Sequence, residues 1–198
     1  MRQADIFLKS EGNAWLARNL AKLTGQNDPV LEIIRTCELK PASVLEIGCA
    51  NGWRLDILRE KFQCMVTGVD PATPNRPFIL KGTADKLPIK NMRFDLVIYG
   101  WCLYLCDRED LFKITAEGDR VLKDGGHLMI YDFKPMTAMK RFYKHHPGVS
   151  TYKYDYSKLW LANPAYQLQH LWFKGSDQDC VGVWLLHKSI KRGWPLYG

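Results

Sequence analysis

Short, largely apolar runs punctuate the middle of the chain. Residues 44–47, 64–69, 94–99 and 127–131 each hold four to six positions, a length that suits strands rather than helices. A weaker run, 78–80, lies between the second and third. The runs are nearly continuous instead of alternating, which points to a sheet covered on both faces. Helical periodicity occupies 55–62 and 108–122. Alternation of strand and helix predicts a three-layer α/β/α arrangement around a mostly parallel sheet with right-handed crossovers. Upstream, "GNAWLARNLAKL" places Trp15, Leu16, Leu20 and Leu23 on one helical face, with Arg18 and Lys22 elsewhere. Gly25 closes that helix, and Asp28-Pro29 starts another with proline at a tolerated first-turn position. Beyond Asp132 the texture becomes basic and aromatic. Two strand-like runs, 166–173 and 180–187, then flank the turn signal Gly175-Ser176-Asp177 and predict an antiparallel closing hairpin.

The chain has 198 residues, enough for one domain, with a helical cap over 1–40 and an insert over 134–165. Apolar residues make up 46% of it, which excludes disorder as the main state. The net charge of +7 suits an anionic partner without demanding nucleic acid. Six cysteines, with no CxxC pair and no histidine at zinc-ligand spacing, read as reduced thiols and give no metal site. No signal peptide and no membrane-spanning run is visible. A cytoplasmic protein without a membrane partner is the expectation; the oligomeric state is open.

The most informative stretch is "VLEIGCANGWRL", a strand running through a turn of small residues into a helix. Gly48 and Gly52 let the backbone turn sharply and approach a ligand. The helix N-terminus behind them favours a negative group. Asp70 ends the next strand, eighteen positions after Gly52, where a carboxylate takes both hydroxyls of a ribose. The dinucleotide pattern G-x-G-x-x-G fails at Ala50 and Trp53. Glu46, two residues before the first glycine, suits an amino group instead. An ammonium, a carboxylate, a ribose and a base together describe S-adenosylmethionine.

"VLEIGCANG", "VTGVD", "GTADKLPIKNMRFDLVIYGWCLYL" and "LKDGGHLMIYDF" resemble, in that order, the class I S-adenosylmethionine-dependent methyltransferases of the small-molecule type. The resemblance covers residue 41 to about residue 133. It implies a Rossmann-like sandwich with a seven-stranded sheet and an antiparallel C-terminal hairpin strand. It implies that Glu46, Gly48, Cys49, Ala50, Asn51 and Gly52 form the cofactor loop. Asp70 and Pro71 then hold the ribose, Ala84 and Asp85 the adenine, and Tyr99, Gly100 and Trp101 line the cofactor after the fourth strand. The family pattern has glycine where Ala50 stands, a mild departure if the turn stays in ordinary backbone space there. "FLKSEGNAWLARN" resembles a cofactor-capping signature, so Trp15, Arg18 and Asn19 either reach the site or belong to core and surface.

Methyl transfer from a sulfonium is an in-line displacement, and orienting the acceptor supplies about 7–11 kcal/mol of the barrier. A carboxylate or amine acceptor needs only a dry, shaped pocket, whereas a hydroxyl needs a base. His145 and His146 in "YKHHPG" are the candidate bases. Trp15, Tyr104, Tyr152, Tyr154, Tyr156 and Lys158 are candidate acceptor contacts, and the basic insert suits an anionic acceptor. The expected function is O- or carboxyl-methylation of a small-molecule, glycan or nucleotide-linked acceptor, releasing S-adenosylhomocysteine. RNA methylation and non-catalytic cofactor binding are the alternatives. "NPAY" at 163–166 lies too far downstream for an amino-methylase motif and reads as a helix stop.

Overall fold

A computed structural model of the chain describes residues 1–23, 27–72, 76–90 and 94–194. Gly25, the expected helix stop, lies outside the described residues. Seven strands form one sheet in the order β3-β2-β1-β4-β5-β9-β8. They are β1 (Ser43–Ile47), β2 (Met65–Asp70), β3 (Ile79–Lys81), β4 (Phe94–Gly100), β5 (Leu122–Phe133), β8 (Tyr166–Lys174) and β9 (Val181–Lys188). The first five pair in parallel. β9 runs antiparallel to both β5 and β8, as the turn signal at 175–177 anticipates. A second hairpin, β6 (Met139–Phe142) with β7 (Ser150–Lys153), stands apart from the sheet within the basic insert.

The continuous apolar strands do face two cores. Leu45, Ile47, Val97, Tyr99, Leu128, Ile130, Trp184 and Leu186 join one buried cluster, with Ile114, Val121 and Trp160. Their neighbours Val44, Leu96, Ile98, Met129, Val183 and Leu185 join the other, with Ile33, Ile34, Leu55 and Leu58. The helices that supply those side chains are α3 (Pro29–Thr36), α4 (Trp53–Phe62), α5 (Leu111–Val121) and α6 (Ser157–Leu161). Helix α3 starts as its sequence predicts: Pro29 takes the first turn, and the Asp28 carboxylate accepts the Leu31 N–H at 3.0 Å. The expected helix over 108–122 begins one turn later, because residues Arg108–Asp110 form a 3-10 turn. "NPAY" is the helix stop it was read as: Asn163 Oδ1 accepts the Ala165 N–H at 3.0 Å just before β8.

At the N-terminus, α1 (Gln3–Ile6) and α2 (Gly12–Asn19) are joined by a π turn, Phe7–Glu11, closed by the Gly12 N–H donating to the Phe7 carbonyl. The extra residue of such a turn shifts which side chains share a face. Here Ala4, Phe7, Gly12 and Trp15 all face the cleft described below. A Cβ on Gly12 would stand 2.9 Å from the Ala72 amide nitrogen. The helix therefore lies directly on the loop after β2, which explains a glycine inside a helix.

Gly118 poses the same question in α5. A Cβ there would meet Tyr99 Oη at 2.5 Å and Trp160 Cζ2 at 3.3 Å. The Tyr99 hydroxyl donates to the Ile114 carbonyl at 3.0 Å, so it has no freedom to yield. Helix propensity alone favours alanine by about 1 kcal/mol, but overpacking costs about 1–3 kcal/mol. Gly118→Ala is expected to lower stability, read as a reduced urea midpoint at unchanged slope. A raised midpoint would show that the helix is not pressed against Tyr99.

Candidate functional site

The carboxyl ends of β1, β2 and β4 open onto one cleft under the N-terminal helices. Its walls come from three turns. After β1, Gly48, Ala50 and Gly52 all take positive φ, at 78°, 52° and 77°. The expectation that Ala50 keeps an ordinary backbone is thus corrected: it is left-handed, a conformation that costs a non-glycine residue roughly 1–2 kcal/mol. Hydrogen bonds hold it there. The Ala50 N–H donates to Asp70 Oδ2 at 2.8 Å, and the Gly48 N–H donates to the Val69 carbonyl at 2.8 Å. Gly48 has no room for a side chain, since a Cβ would sit 2.6 Å from Cys102 Cβ and 2.8 Å from the Gly100 carbonyl.

The second turn follows β2. Asp70 Oδ1 accepts the Ala72 N–H at 2.8 Å, so this buried carboxylate joins two loops. Burial raises its pKa, and the two amide donors oppose the rise. Each oxygen keeps a further lone pair for a ligand. The third turn follows β4. Trp101 is left-handed at φ 53°, and its N–H donates to the Tyr131 carbonyl at 2.9 Å. Its ring packs on Tyr104, Tyr131 and Phe133 at centroid distances of 4.9–6.1 Å.

The cleft has two lobes that share Trp15, Gly48 and Trp101. One, about 750 Å³ to its open mouth, is lined by Asp70, Pro71, Gly82, Ala84, Asp85 and neighbours. The other, about 680 Å³, is lined by Glu46, Ala50, Arg54, Gly100 and Tyr131 among others. In the first lobe, burial pushes the Asp85 carboxyl up, but hydrogen bonds from Thr83 and Arg2 outweigh it and hold it below its ordinary value. Arg2 reaches Asp85 at 2.9 Å from the N-terminal segment.

The second lobe contains a buried charge cluster. Arg54 grips Asp28 through two bonds, Nε–Oδ1 at 3.1 Å and Nη2–Oδ2 at 2.9 Å, and its Nη1 donates to Glu46 Oε1. The guanidinium also stacks on the Trp53 ring at 4.5 Å. Burial pushes Glu46 up to about 7, against the pull of Arg54 and with a further push from Asp28. Burial would lower Arg54, but Glu46 and Asp28 prevail and keep it charged. Glu46 Oε2 has no partner among the described residues. Gly100 completes the lobe, since a Cβ there would lie 2.6 Å from Glu46 Oε1.

The structure thus brings together Glu46, Gly48, Cys49, Ala50, Asp70, Pro71, Ala84, Asp85, Gly100, Trp101 and Trp15. Asn51 and Gly52 lie just behind the lining: Asn51 Oδ1 accepts the Trp53 N–H at 3.3 Å, and Gly52 precedes α4. Tyr99 points into the core under α5. Arg18 pairs with Glu11 and donates to the Tyr143 hydroxyl at 3.0 Å, tying the cap to the insert. Asn19 donates to the Trp15 carbonyl at 2.8 Å. Tyr104 packs on Trp101, while Tyr152, Tyr154 and Tyr156 line a separate groove that shares Cys106, Asp107 and Asp110 with the first lobe. Lys158 stands over the Tyr154 ring at 5.8 Å. His145 is exposed and stacks edge-on with Tyr143, and His146 Nδ1 lies 2.6 Å from the Pro147 carbonyl; neither lines the cleft.

Sequence reasoning missed three groups. Arg54 is one, although it follows the glycine turn directly. Gln3 is another: its N–H donates to Asp107 Oδ2 at 2.7 Å, its Nε2 donates to the Leu105 carbonyl at 2.8 Å, and its Oε1 accepts the Ser150 N–H at 2.5 Å. The third is Asp132, fully buried at the end of β5, which accepts N–H groups from Phe133 at 2.7 Å and Tyr104 at 3.2 Å. Burial pushes it up to about 7, and those amide donors pull the other way. Its signal was available, because an acid ending a strand is the cue that singled out Asp70.

The residues fit the group that the sequence implies. At one end a buried carboxylate oxygen has no partner among the described residues, at the other a carboxylate keeps spare lone pairs, and a glycine too crowded for any side chain connects them. Residues 45–130 match the methyltransferase domain family. A protein of Encephalitozoon cuniculi assigned to the methyltransferases is 26% identical over 161 residues, 78% of this chain. The match spans 63% of that relative's length. Among solved structures, the fold is similar to a 1,6-didemethyltoxoflavin-N1-methyltransferase of Burkholderia thailandensis bound to its substrate and S-adenosylhomocysteine (TM-score 0.70, 17% identity, 87% of this chain and 82% of that one). It is also similar to the N-methyltransferase NodS of Bradyrhizobium japonicum with S-adenosylhomocysteine (TM-score 0.63, 16% identity, 89% and 98%). Residues 45–130 are thus matched by the methyltransferase domain family, and the fold around them is the one seen in S-adenosylmethionine-dependent methyltransferases.

Proposed function

We propose that this chain binds S-adenosylmethionine along the two-lobed cleft and methylates a small-molecule acceptor that enters beside Trp101. The observation that carries the reading is the pair of buried carboxylates, Asp70 and Glu46, set in separate lobes that meet at Gly48. In this reading Asp70 accepts the ribose hydroxyls, Ala84 and Asp85 border the adenine, and Glu46 Oε2 accepts from the ammonium. When bound, the cofactor supplies an electrophilic methyl carbon on a sulfonium. The chain's own part is to align, enclose and keep water out, which is where most of the rate advantage of such a displacement arises.

The surroundings favour an acceptor that arrives already nucleophilic. Burial drives the Cys102 and Cys106 thiols and the Tyr104 phenol above their ordinary values, so they stay protonated. His145 and His146 sit on an outer turn. A carboxylate or an amine therefore fits this site better than a neutral hydroxyl that needs a base. Tyr152, Tyr154 and Tyr156, in the adjoining groove, are proposed contacts for the rest of the acceptor.

Calorimetric titration with S-adenosylhomocysteine is expected to show binding, and Asp70→Asn is expected to weaken it at least about 10-fold, the loss of one charged hydrogen-bond acceptor. Unchanged affinity in the variant would remove Asp70 from the site. Affinity is also expected to depend on pH at both ends. Glu46, with its pKa near 7, takes a proton as pH falls and loses its attraction for the ammonium. At alkaline pH the ligand's α-amino group itself loses its charge. Affinity should therefore peak between these limits and fall several-fold by pH 6. 5′-Methylthioadenosine, which lacks the amino-acid end, should bind with no such peak. A flat profile for both ligands would mean that Glu46 does not meet the ammonium.

A further inference from the structure

The insert between β5 and β8 carries a surface that the cleft does not use. Residues 134–149 hold Lys134, Lys140, Arg141 and Lys144, with His145 and His146, and not one acidic residue. Lys140, Arg141, Lys144 and His145 are all exposed. Among these cations stand two of the most exposed apolar side chains of the described residues, Met136 at 89% and Phe142 at 93%. Lys140 and Phe142, two apart on β6, project from the same side of the strand. Lys134 lies over the Phe173 ring at 4.8 Å, and Phe173 is itself 57% exposed, so the apolar and cationic surface continues onto the end of β8.

This hairpin is held rigidly at the cleft. The Tyr143 hydroxyl donates to Glu11 at 2.9 Å, and the Ser150 N–H donates to Gln3, both on the N-terminal cap. Val149 packs with Ile6, Phe7 and Leu105 beneath it. Lys140, Phe142 and Lys144 are thus presented on a hairpin tied to the cap, with Met136 in the segment that leads into it.

We propose that the 134–149 face docks this protein on an anionic lipid bilayer, with Phe142 and Met136 entering the headgroup–acyl boundary and Lys140 and Lys144 lying among the headgroups. Cations flanking a small apolar wedge is the arrangement that interfacial attachment uses. It needs no spanning segment; no helix among the described residues is long and apolar enough to cross a membrane. A single-stranded nucleic acid would also answer the charge. It reads aromatic faces, however, and on this face Tyr152 is already covered by Lys140 while Met136 offers no ring. Phe142 and Phe173 do offer rings, but the ringless Met136 beside Phe142, in a wedge flanked by cations, favours lipid. The proposal is independent of the methyl-transfer reading.

Co-sedimentation of the full chain with vesicles of phosphatidylcholine containing about one-third phosphatidylserine tests it, against vesicles of phosphatidylcholine alone. Binding is expected only to the anionic vesicles and is expected to be released by high salt. Lys140→Glu with Lys144→Glu should reduce partitioning by at least about 30-fold. Phe142→Ala with Met136→Ala should reduce it about 10-fold at low salt. All four side chains are exposed, and an unchanged far-UV circular dichroism spectrum confirms that each variant is folded. No binding to anionic vesicles, or equal binding by wild type and both variants, would overturn the proposal. So would tighter, variant-sensitive binding to a uridine oligonucleotide, which would make the face a nucleic-acid surface.

Discussion

The Asp70 carboxylate is the point on which the cleft hangs. One oxygen takes the amide of Ala50 and the other takes the amide of Ala72, so a single side chain fastens the turn after β1 to the turn after β2. Without the first bond, nothing offsets the unfavourable left-handed backbone at Ala50. Without the second, the segment on which Gly12 rests would have no fixed height. A carboxylate suits this place because it accepts from both sides and still has lone pairs directed elsewhere. The group that shapes the cleft is also, in the proposed reading, the one that holds the sugar.

How much of this was legible beforehand varies with the range of the interactions. The strands were, because burial on both faces writes a nearly continuous apolar run, and Val44 and Leu45 indeed enter different cores. The start of α3 was, because Asp28-Pro29 is a local signal with a local bond. The β1 turn was legible as a tight turn, but the conformation of Ala50 was not: it is imposed by a carboxylate twenty residues away. Tyr99 lies inside a stretch that borders a cofactor by resemblance, yet strand alternation turns its ring toward α5 and leaves Gly100 and Trp101 to the cleft. Arg54 and Gln3 could not be read, since each acts by joining segments far apart in the chain. Asp132 could have been, by applying to β5 the argument already made for β2.

The cap and the insert are coupled rather than independent lids. Gln3 links the first helix to the loop after β4 and to β7, and Glu11, Arg18 and Tyr143 form a second tie between the same partners. Between the two ties, Trp15 lies over the junction of the lobes. Asp28 plays a matching part on the other side: it caps α3 and grips Arg54, which in turn holds Glu46. Each end of the cleft is thus braced by a carboxylate or an amide whose main business is holding chain segments together.

The π turn at Phe7–Glu11 has an evolutionary corollary. An α-helix advances about 100° per residue, so losing one residue there would swing Gly12 and Trp15 around the axis and bring bulkier neighbours against Ala72. The five-residue spacing between Phe7 and Gly12 is then a reading frame of the cap. Relatives that keep the glycine contact should tolerate substitution throughout this segment far better than they tolerate a change in its length.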